Sequence, residues 1–538
     1  MDTGVLRDNA GLILVAAIGL GVAYLTFMAG LQNGMWVDEG RYGVIATAIN
    51  EHPLDYSSPY HGVVEKYPPT FTYLLAGAQA VLGWGKTAIY SVSPLMIFLT
   101  AIVTFLMGRE MFGRAEGIVA AVLTVSSPIL VFLGARVLIG PTLTMLFAAS
   151  LFLLYYAFTD RPYARYARLG VVPVMALAMM AKQPAYVLGP IFVIYVLYRQ
   201  GLGVVRSPRD HADLYYSIGL GLLVAGPWLV RNIFVCGLPL CELAKVTNNV
   251  NTSPLPWEST ASFWYLLNAL SYLGIPLGAL AYASGAAAVV NPVRSMLEGG
   301  IGVRAKVAGG LTLLGLVLAV TEPRFAVLFL LLGVTALQDR DEDLLLWLGI
   351  AFGIGVASVM SLKLPRYVVF TVPVFGVLAA VSLHRAVAAV TDELSVDAAS
   401  VKAVLYVAVV LAGVVALFMG MQNIAGSQSG FGKLEDAGRW FQGQDVAVMA
   451  SSPRQIMYYS QNAADVDIMP TNNTLIEQRL RSGQYDYMVA DFYEYTRREQ
   501  TQWIVQDLMR RNDTMIRPVQ VFREGERPVV IIFEVAGR

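Results

Sequence analysis

Cysteine, histidine and charge are all scarce in this chain. Two cysteines among 538 residues cannot build a disulfide framework or a four-thiolate metal site. Four histidines leave little room for a histidine-built metal centre. Charged residues make up 14%, against about 25% in a soluble domain. That shortage excludes a soluble cytosolic enzyme and a disordered chain. Lys+Arg and Asp+Glu both number 38, so no net field draws a polyanion, and a nucleic-acid binder is excluded as well. The excess is apolar: 56% of residues are hydrophobic and the mean hydropathy is +0.58. The composition is that of a polytopic membrane protein.

The charge is concentrated rather than thinned evenly. Residues 426–538 hold 13 of the 38 basic residues, and the others sit almost wholly between apolar runs. Ala425-Gly-Ser-Gln-Ser-Gly430 reads as a small-residue linker. The expected domains are therefore a membrane domain, 1–425, and a soluble domain, 426–538. Thirteen apolar runs are candidate spans: 10–31, 88–108, 115–135, 141–159, 169–181, 183–198, 212–234, 261–290, 307–320, 325–337, 344–361, 367–383 and 403–424. Four are short, and these fall in pairs split by Lys182-Gln183-Pro184 and by Glu322-Pro323-Arg324. A charge with a proline in mid-run predicts a break there. The first run ends in Gln-Asn-Gly-Met-Trp, without a small-residue cleavage site, and reads as a retained helix rather than a signal peptide.

Placing the N-terminus inside puts 15 basic residues on inner loops and 10 on outer segments. The positive-inside rule thus favours a cytoplasmic N-terminus and, with thirteen spans, an extracytoplasmic tail. The tail alternates helical patterns (434–441, 454–459, 475–480, 495–509) with strand-like ones (446–450, 487–490, 519–522, 529–535), which predicts a small α/β domain. It has no Gly-rich phosphate loop. Sequons begin at Asn251, Asn472 and Asn512, all in segments expected outside. Cys236 and Cys241 share one outer loop, either as a disulfide in an oxidising compartment or as two ordinary thiols.

The first outer segment, 32–87, carries the densest chemistry. Asp38, Glu39, Arg41 and Tyr42 follow the end of the first span. Tyr42, Ile45, Ala46 and Ile49 form an i, i+3, i+4, i+7 stripe suited to a helix lying in the membrane interface. Lys66 precedes Pro68-Pro69, and a proline pair suits the start of a second surface helix over 70–81.

Asp38-Glu39-Gly40-Arg41-Tyr42 and Lys66-Tyr67-Pro68-Pro69 resemble the first outer loop of the protein O-mannosyltransferase and aminoarabinose-transferase superfamily. These are GT-C membrane glycosyltransferases that use polyprenyl-phosphate sugars. The family pattern is Asp-Glu-x-x-Tyr followed by a Lys-Pro-Pro-like element; here one residue separates the lysine from the prolines. Ala178-Met-Met-Ala-Lys182-Gln-Pro184 is similar to the family's Lys-Gly-Pro hairpin. Gly226-Pro227-Trp228 with Arg231-Asn232 resembles its Pro-Trp segment, and Lys363-Leu-Pro-Arg366-Tyr367 its late Lys-x-x-Arg-Tyr element. The likeness covers about residues 10–385. Gly140 stands near the place where many relatives carry an aspartate after the arginine that corresponds to Arg136, so no second-acid or metal role is carried over there.

The resemblance implies a GT-C fold and transfer of a sugar from a dolichyl- or undecaprenyl-phosphate donor to a protein, lipid or glycan acceptor at the outer face. It places the family's catalytic aspartate at Asp38. A phosphate leaving group needs positive charge more than a proton. Arg41, Lys66, Lys182, Lys363 and Arg366 are the candidate donor-phosphate ligands, with Tyr42 and Tyr367 as hydroxyl donors. Arg136 and Arg231 either join them or simply end helices near the headgroups. Glu39 either raises the proton affinity of Asp38 by like-charge repulsion or binds the acceptor or a metal. No obligatory metal or other cofactor is expected. Attack of an acceptor hydroxyl at C1 would invert the anomeric carbon. The alternative is a transporter or flippase, which would place its charges at mid-span and show internal repeats. Here the middles of the runs are almost free of charge.

Overall fold

The computed structural model describes residues 3–53, 68–239, 263–299, 302–359, 364–394, 398–426, 432–461, 464–493, 497–508 and 515–536. The chain is a polytopic helical membrane protein with a small C-terminal sheet domain. Among the described residues, nine helices are long and apolar enough to cross a bilayer: Asn9–Gln32, Lys86–Met111, Ile139–Tyr156, Pro208–Val235, Ile275–Arg294, Val303–Thr321, Asp341–Val359, Val369–Ala389 and Val407–Ile424. A tenth forms if Arg114–Val125 and Pro128–Gly134, bent by 60° at their junction, count as one broken span. Every one of the thirteen apolar runs is helical, but thirteen full spans is too many. Ala164–Met179, Leu188–Gln200 and Pro323–Ala336 have only 16, 13 and 14 residues. At about 1.5 Å per residue these fall short of a hydrocarbon core of about 30 Å. Run 261–290 is also interrupted: short helices Trp264–Leu267 and Ala269–Leu273 precede Ile275–Gly299. Gly274 makes the break with φ of 87°, a left-handed backbone that a side chain resists. Both charge-proline breaks are present, at Lys182 and at Glu322.

The chain divides into two compact units. One comprises residues 1–27, 66–71 and 93–423; the other comprises 28–65, 72–92 and 424–538. Most of the first inter-span segment thus packs with the tail, a grouping that a cut at residue 425 alone does not capture.

In the first unit, close helix approach rests on small residues, as expected where lipid removes the hydrophobic drive between helices. Lys86–Met111 meets Arg114–Val125 through Gly108 and Gly117: a Cβ on Gly117 would lie 2.6 Å from the Phe105 carbonyl oxygen. Asp341–Val359 meets Pro323–Ala336 at Gly355, where a Cβ would lie 2.7 Å from Leu328 Cα. Ser217 Oγ accepts the Val172 N–H at 3.1 Å, tying Ala212–Cys236 to Ala164–Met179.

In the second unit the two surface helices expected after the first span are present as Val37–Glu51 and Thr70–Leu82. The predicted stripe is buried: Tyr42, Ile45, Ala46 and Ile49 are all 8% exposed or less. Polar side chains lace the two helices together. Asn50 Nδ2 donates to the Ala76 carbonyl and to Gln79 Oε1, both at 3.2 Å, and Gln79 Nε2 donates to Thr47 Oγ1 at 3.3 Å.

The tail is a five-stranded sheet: β1 (Ala447–Ala450), β2 (Asp465–Ile468), β3 (Tyr487–Asp491), β4 (Ile516–Glu524) and β5 (Arg527–Val535), in the order β2-β1-β3-β5-β4. β1 runs parallel to β2 and β3, while β3-β5-β4 is antiparallel. Met449, Met488, Ile476, Leu480, Ile504 and Phe533 fill one face. Four helices and four strands match the predicted elements. The strand that sequence reading missed, β2, is a four-residue edge strand reading Asp-Val-Asp-Ile. Asn472 caps helix Asn473–Arg481, its Oδ1 accepting from the N–H groups of Thr474 and Leu475. Cys241, Asn251 and Asn512 lie outside the described residues, as does the side chain of Cys236, so the pairing of the two cysteines falls there too.

Gly117→Ala should destabilise the helical body by about 1–3 kcal/mol through overpacking against backbone. Gly309→Ala, where a Cβ meets nothing within 4 Å, should be neutral or stabilising by up to about 1 kcal/mol. Thermal melts of the purified protein in detergent compare the two; equal melting temperatures would refute the close Gly108–Gly117 contact.

Candidate active site

The acid pair sits in the first turn of Val37–Glu51, where the unsatisfied N–H groups of a helix start favour negative charge. The two acids have different surroundings. Glu39 is fully buried. Its Oε2 accepts the Trp36 N–H at 2.6 Å and the Tyr90 hydroxyl at 3.2 Å. The first bond is the backward half of a capping box, closing the helix entrance. Asp38, one residue earlier, is half-exposed, as is Arg41, whereas Tyr42 is buried. The helix therefore turns one carboxylate inward as a brace and leaves its neighbour accessible. Trp36 and Tyr90 thus brace Glu39 at the helix entrance. Among the described residues no three His, Cys, Asp or Glu side chains stand together as a metal group.

In the other unit, three of the sequence motifs converge. Pro68-Pro69 opens helix Thr70–Leu82, and Thr70 is pinned to the end of Ala164–Met179: its N–H donates to the Met180 carbonyl and its hydroxyl to the Leu177 carbonyl, both at 3.0 Å. Two residues beyond Met180, the half-buried Lys182 places its ammonium 5.2 Å from the centre of the Tyr367 ring. The Arg366 guanidinium stands 5.8 Å from the same ring. The turn that carries Arg366 and Tyr367 is held by Tyr265, whose hydroxyl donates to the Leu364 carbonyl at 3.1 Å and accepts the Leu364 N–H at 3.2 Å. The result is a pair of cations around one aromatic ring, close in the chain to the residues that hold the Pro-Pro element. Such a ring holds a cation in position without cancelling its charge. Lys66 and Lys363 lie outside the described residues. Arg136 is buried in the turn before Ile139–Tyr156, 5.9 Å from the Phe132 ring centre. Arg231 lies 4.6 Å over Trp228 on its own helix.

Sequence reasoning missed Tyr90 and Tyr265, which lie within no motif. Their signal was present in residue type: a tyrosine whose apolar body is buried still needs a partner for its hydroxyl.

The chain has the GT-C fold of membrane glycosyltransferases, as its first inter-span motif suggested. Residues 66–230 match the family described as dolichyl-phosphate-mannose-protein mannosyltransferase. The structure resembles that of ArnT from Cupriavidus metallidurans bound to undecaprenyl phosphate, with a TM-score of 0.63 and 15% identity over 97% of this chain and 98% of that one. It also resembles the oligosaccharyltransferase AglB from Archaeoglobus fulgidus in complex with an inhibitory peptide and a dolichol-phosphate, with a TM-score of 0.55 and 12% identity over 92% of this chain and 72% of that one. No curated protein matches the chain in sequence.

Tyr265→Phe should free the Leu364 backbone from its side-chain clamp. Leaving such groups unpaired costs about 1–3 kcal/mol, so the 364–367 turn should exchange its amides faster with deuterium while the remaining helices keep their protection. Unchanged exchange at 364–367 would show that the turn stands without the tyrosine.

Proposed function

We propose that this protein transfers a sugar from a polyprenyl-phosphate donor to a hydroxyl-bearing protein, lipid or glycan, with inversion at C1. The observation that carries the reading is the meeting of the Pro-Pro element, Lys182, Arg366 and Tyr367 in one cluster. Three segments far apart in sequence supply a fixed, positively charged platform of the kind a phosphate needs. The family match over residues 66–230 contains two of the three segments. Complexes of the two similar structures with undecaprenyl phosphate and dolichol-phosphate support a polyprenyl-phosphate donor.

In the proposed reaction the acceptor oxygen forms a bond to C1 as the bond from C1 to the phosphate oxygen breaks. The electron pair of that bond leaves with the polyprenyl phosphate, and the acceptor proton passes to Asp38. Arg and Lys stabilise the charge that accumulates on the phosphate; Arg41, Lys66, Lys182, Lys363 and Arg366 are assigned this work, with Tyr42 and Tyr367 donating hydroxyls. Arg136 and Arg231 are assigned a secondary share. An ordinary aspartate is a weak base, with a pKa of about 3.9, so proton transfer comes late, after the oxygen has begun to lose charge to C1. The N-terminus is assigned to the cytoplasm and the tail to the opposite side, following the distribution of arginine and lysine.

Transfer from synthetic polyprenyl-phosphate sugars in reconstituted membranes tests this. Asp38→Asn should lower kcat by about 10²–10⁴-fold while the variant still folds and binds the lipid phosphate. Lys182→Met should instead weaken donor binding. Wild-type turnover by Asp38→Asn would remove Asp38 from the base role, and failure of the wild type to bind or use any such donor would overturn the transferase reading.

A further inference from the structure

The tail domain has no role in the reaction just described, yet its packing on the acid-bearing helix is unusually close. Helix Pro453–Tyr459 follows β1 directly and lies against Val37–Glu51. At Gly40 a Cβ would lie 3.1 Å from Gln455 N and 3.2 Å from the Arg454 carbonyl carbon. At Gly43, one turn later on the same face, a Cβ would lie 2.7 Å from Cδ2 of the Tyr458 ring. Two glycines at i and i+3 therefore make a close seat, where an added Cβ would force the neighbours to shift. Tyr458 fixes the seat further: its ring lies tilted against Trp84, centres 5.2 Å apart, and its hydroxyl donates to the Gly85 carbonyl at 3.2 Å. Lys86 pairs with Glu435 of the preceding tail helix at 3.3 Å. Tyr459 is fully buried near Glu39; burial first, then the charges of Glu435 and Glu39, push its hydroxyl up and keep it neutral. Behind the seat, Asp491 on β3 grips Ser451, the residue after β1. It accepts the Ser451 hydroxyl and donates its own N–H back to Ser451 Oγ at 2.9 Å.

We propose that the C-terminal domain is the positioning element for Asp38: through Ser451, Pro453–Tyr459 and the Gly40/Gly43 seat, the sheet sets the height and tilt of the turn that carries the acid. This rests on the assignment of Asp38 as the base. Tyr458, Gly40 and Gly43 touch no substrate in this scheme and act only through the helix. Shifts well below 1 Å matter at a reacting centre, since a misplacement of 1 Å can cost about 100-fold in rate.

The test compares full-length Gly43→Ala, Gly43→Ala with Tyr458→Leu, and Gly77→Ala, whose Cβ meets nothing within 4 Å on the neighbouring helix. Transfer kinetics with a synthetic polyprenyl-phosphate sugar are read together with hydrogen exchange over 37–51 and 453–459. Gly43→Ala should lower kcat by about tenfold with the donor KM unchanged, and should raise exchange in both segments. Removing the Tyr458 ring in the double variant should restore most of kcat, while Gly77→Ala should match wild type. Wild-type kcat in Gly43→Ala, a loss that the double variant does not recover, or a change confined to KM would overturn the proposal. Silence of the wild type with every donor would sink the transferase reading instead, and exchange at 37–51 would then decide alone whether the tail holds this helix.

Discussion

Hydrocarbon tolerates neither an unpaired peptide group nor a bare charge, and the rest of this structure follows from that constraint. The backbone closes its hydrogen bonds within helices, and glycines such as Gly117 and Gly355 let those helices touch. The charges collect beyond the helix ends, where two kinds of support hold them. On the side assigned to the cytoplasm, ion pairs recur: Arg385 with Asp343 at 3.0 Å, Arg168 with Asp213 at 3.6 Å, Arg161 with Glu110 at 3.6 Å, and Arg199 with Asp341. Among the basic residues that break the positive-inside rule, Lys182, Arg231 and Arg366 lie over aromatic rings. Ring contacts also orient cations on the other side, at Arg109, Arg304 and Arg340.

Much of this was legible in the sequence, for identifiable reasons. Long apolar runs report helices directly because the bilayer allows little else, so every run proved helical. The two breaks at Lys182 and Glu322 were visible because proline and charge each forbid a continuous span. The stripe from Tyr42 to Ile49 announced an amphipathic helix through its period, but its apolar face is buried in protein where the sequence suggested the membrane interface. The number of full spans was overstated, because hydropathy registers composition while crossing demands length, and Pro323–Ala336 satisfies only the first. Strand β2 escaped because an edge strand of four residues with two aspartates has neither the length nor the apolar alternation that marks a strand.

The candidate site was half legible. Residue type singled out the acid pair and the stray cations, since a charge in so apolar a chain needs a reason to be there. It could not distinguish Asp38 from Glu39. The resemblance chose Asp38, and burial separates the two physically: Glu39 is buried with bonds to Trp36 and Tyr90, and Asp38 is half-exposed. Nor could residue type show that Thr70 meets Met180 or that Lys182 meets Tyr367, because contacts between residues more than a hundred positions apart leave no local pattern. The pair Gly40 and Gly43 is different. Its spacing on one helix face was in plain view, but a glycine pair has meaning only once the partner that presses on it is known.

The division of labour between the two acids bears on how so weak a base can serve. When proton transfer is late, the rate depends little on the proton affinity of the carboxylate and much on where it stands as the acceptor oxygen reaches C1. A half-exposed aspartate at the first turn of a fifteen-residue surface helix would wander if the helix stood alone, since helix ends fray. Here that end is tied at its entrance by Glu39 and pressed along its face by Pro453–Tyr459. The burial of Glu39 is the more demanding of the two, because a carboxyl group out of water must be hydrogen-bonded to be tolerated. Its bonds to Trp36 and Tyr90 meet that demand and, by doing so, fix the turn that carries Asp38. In the proposed reaction the inward acid would supply rigidity and the outward acid the chemistry.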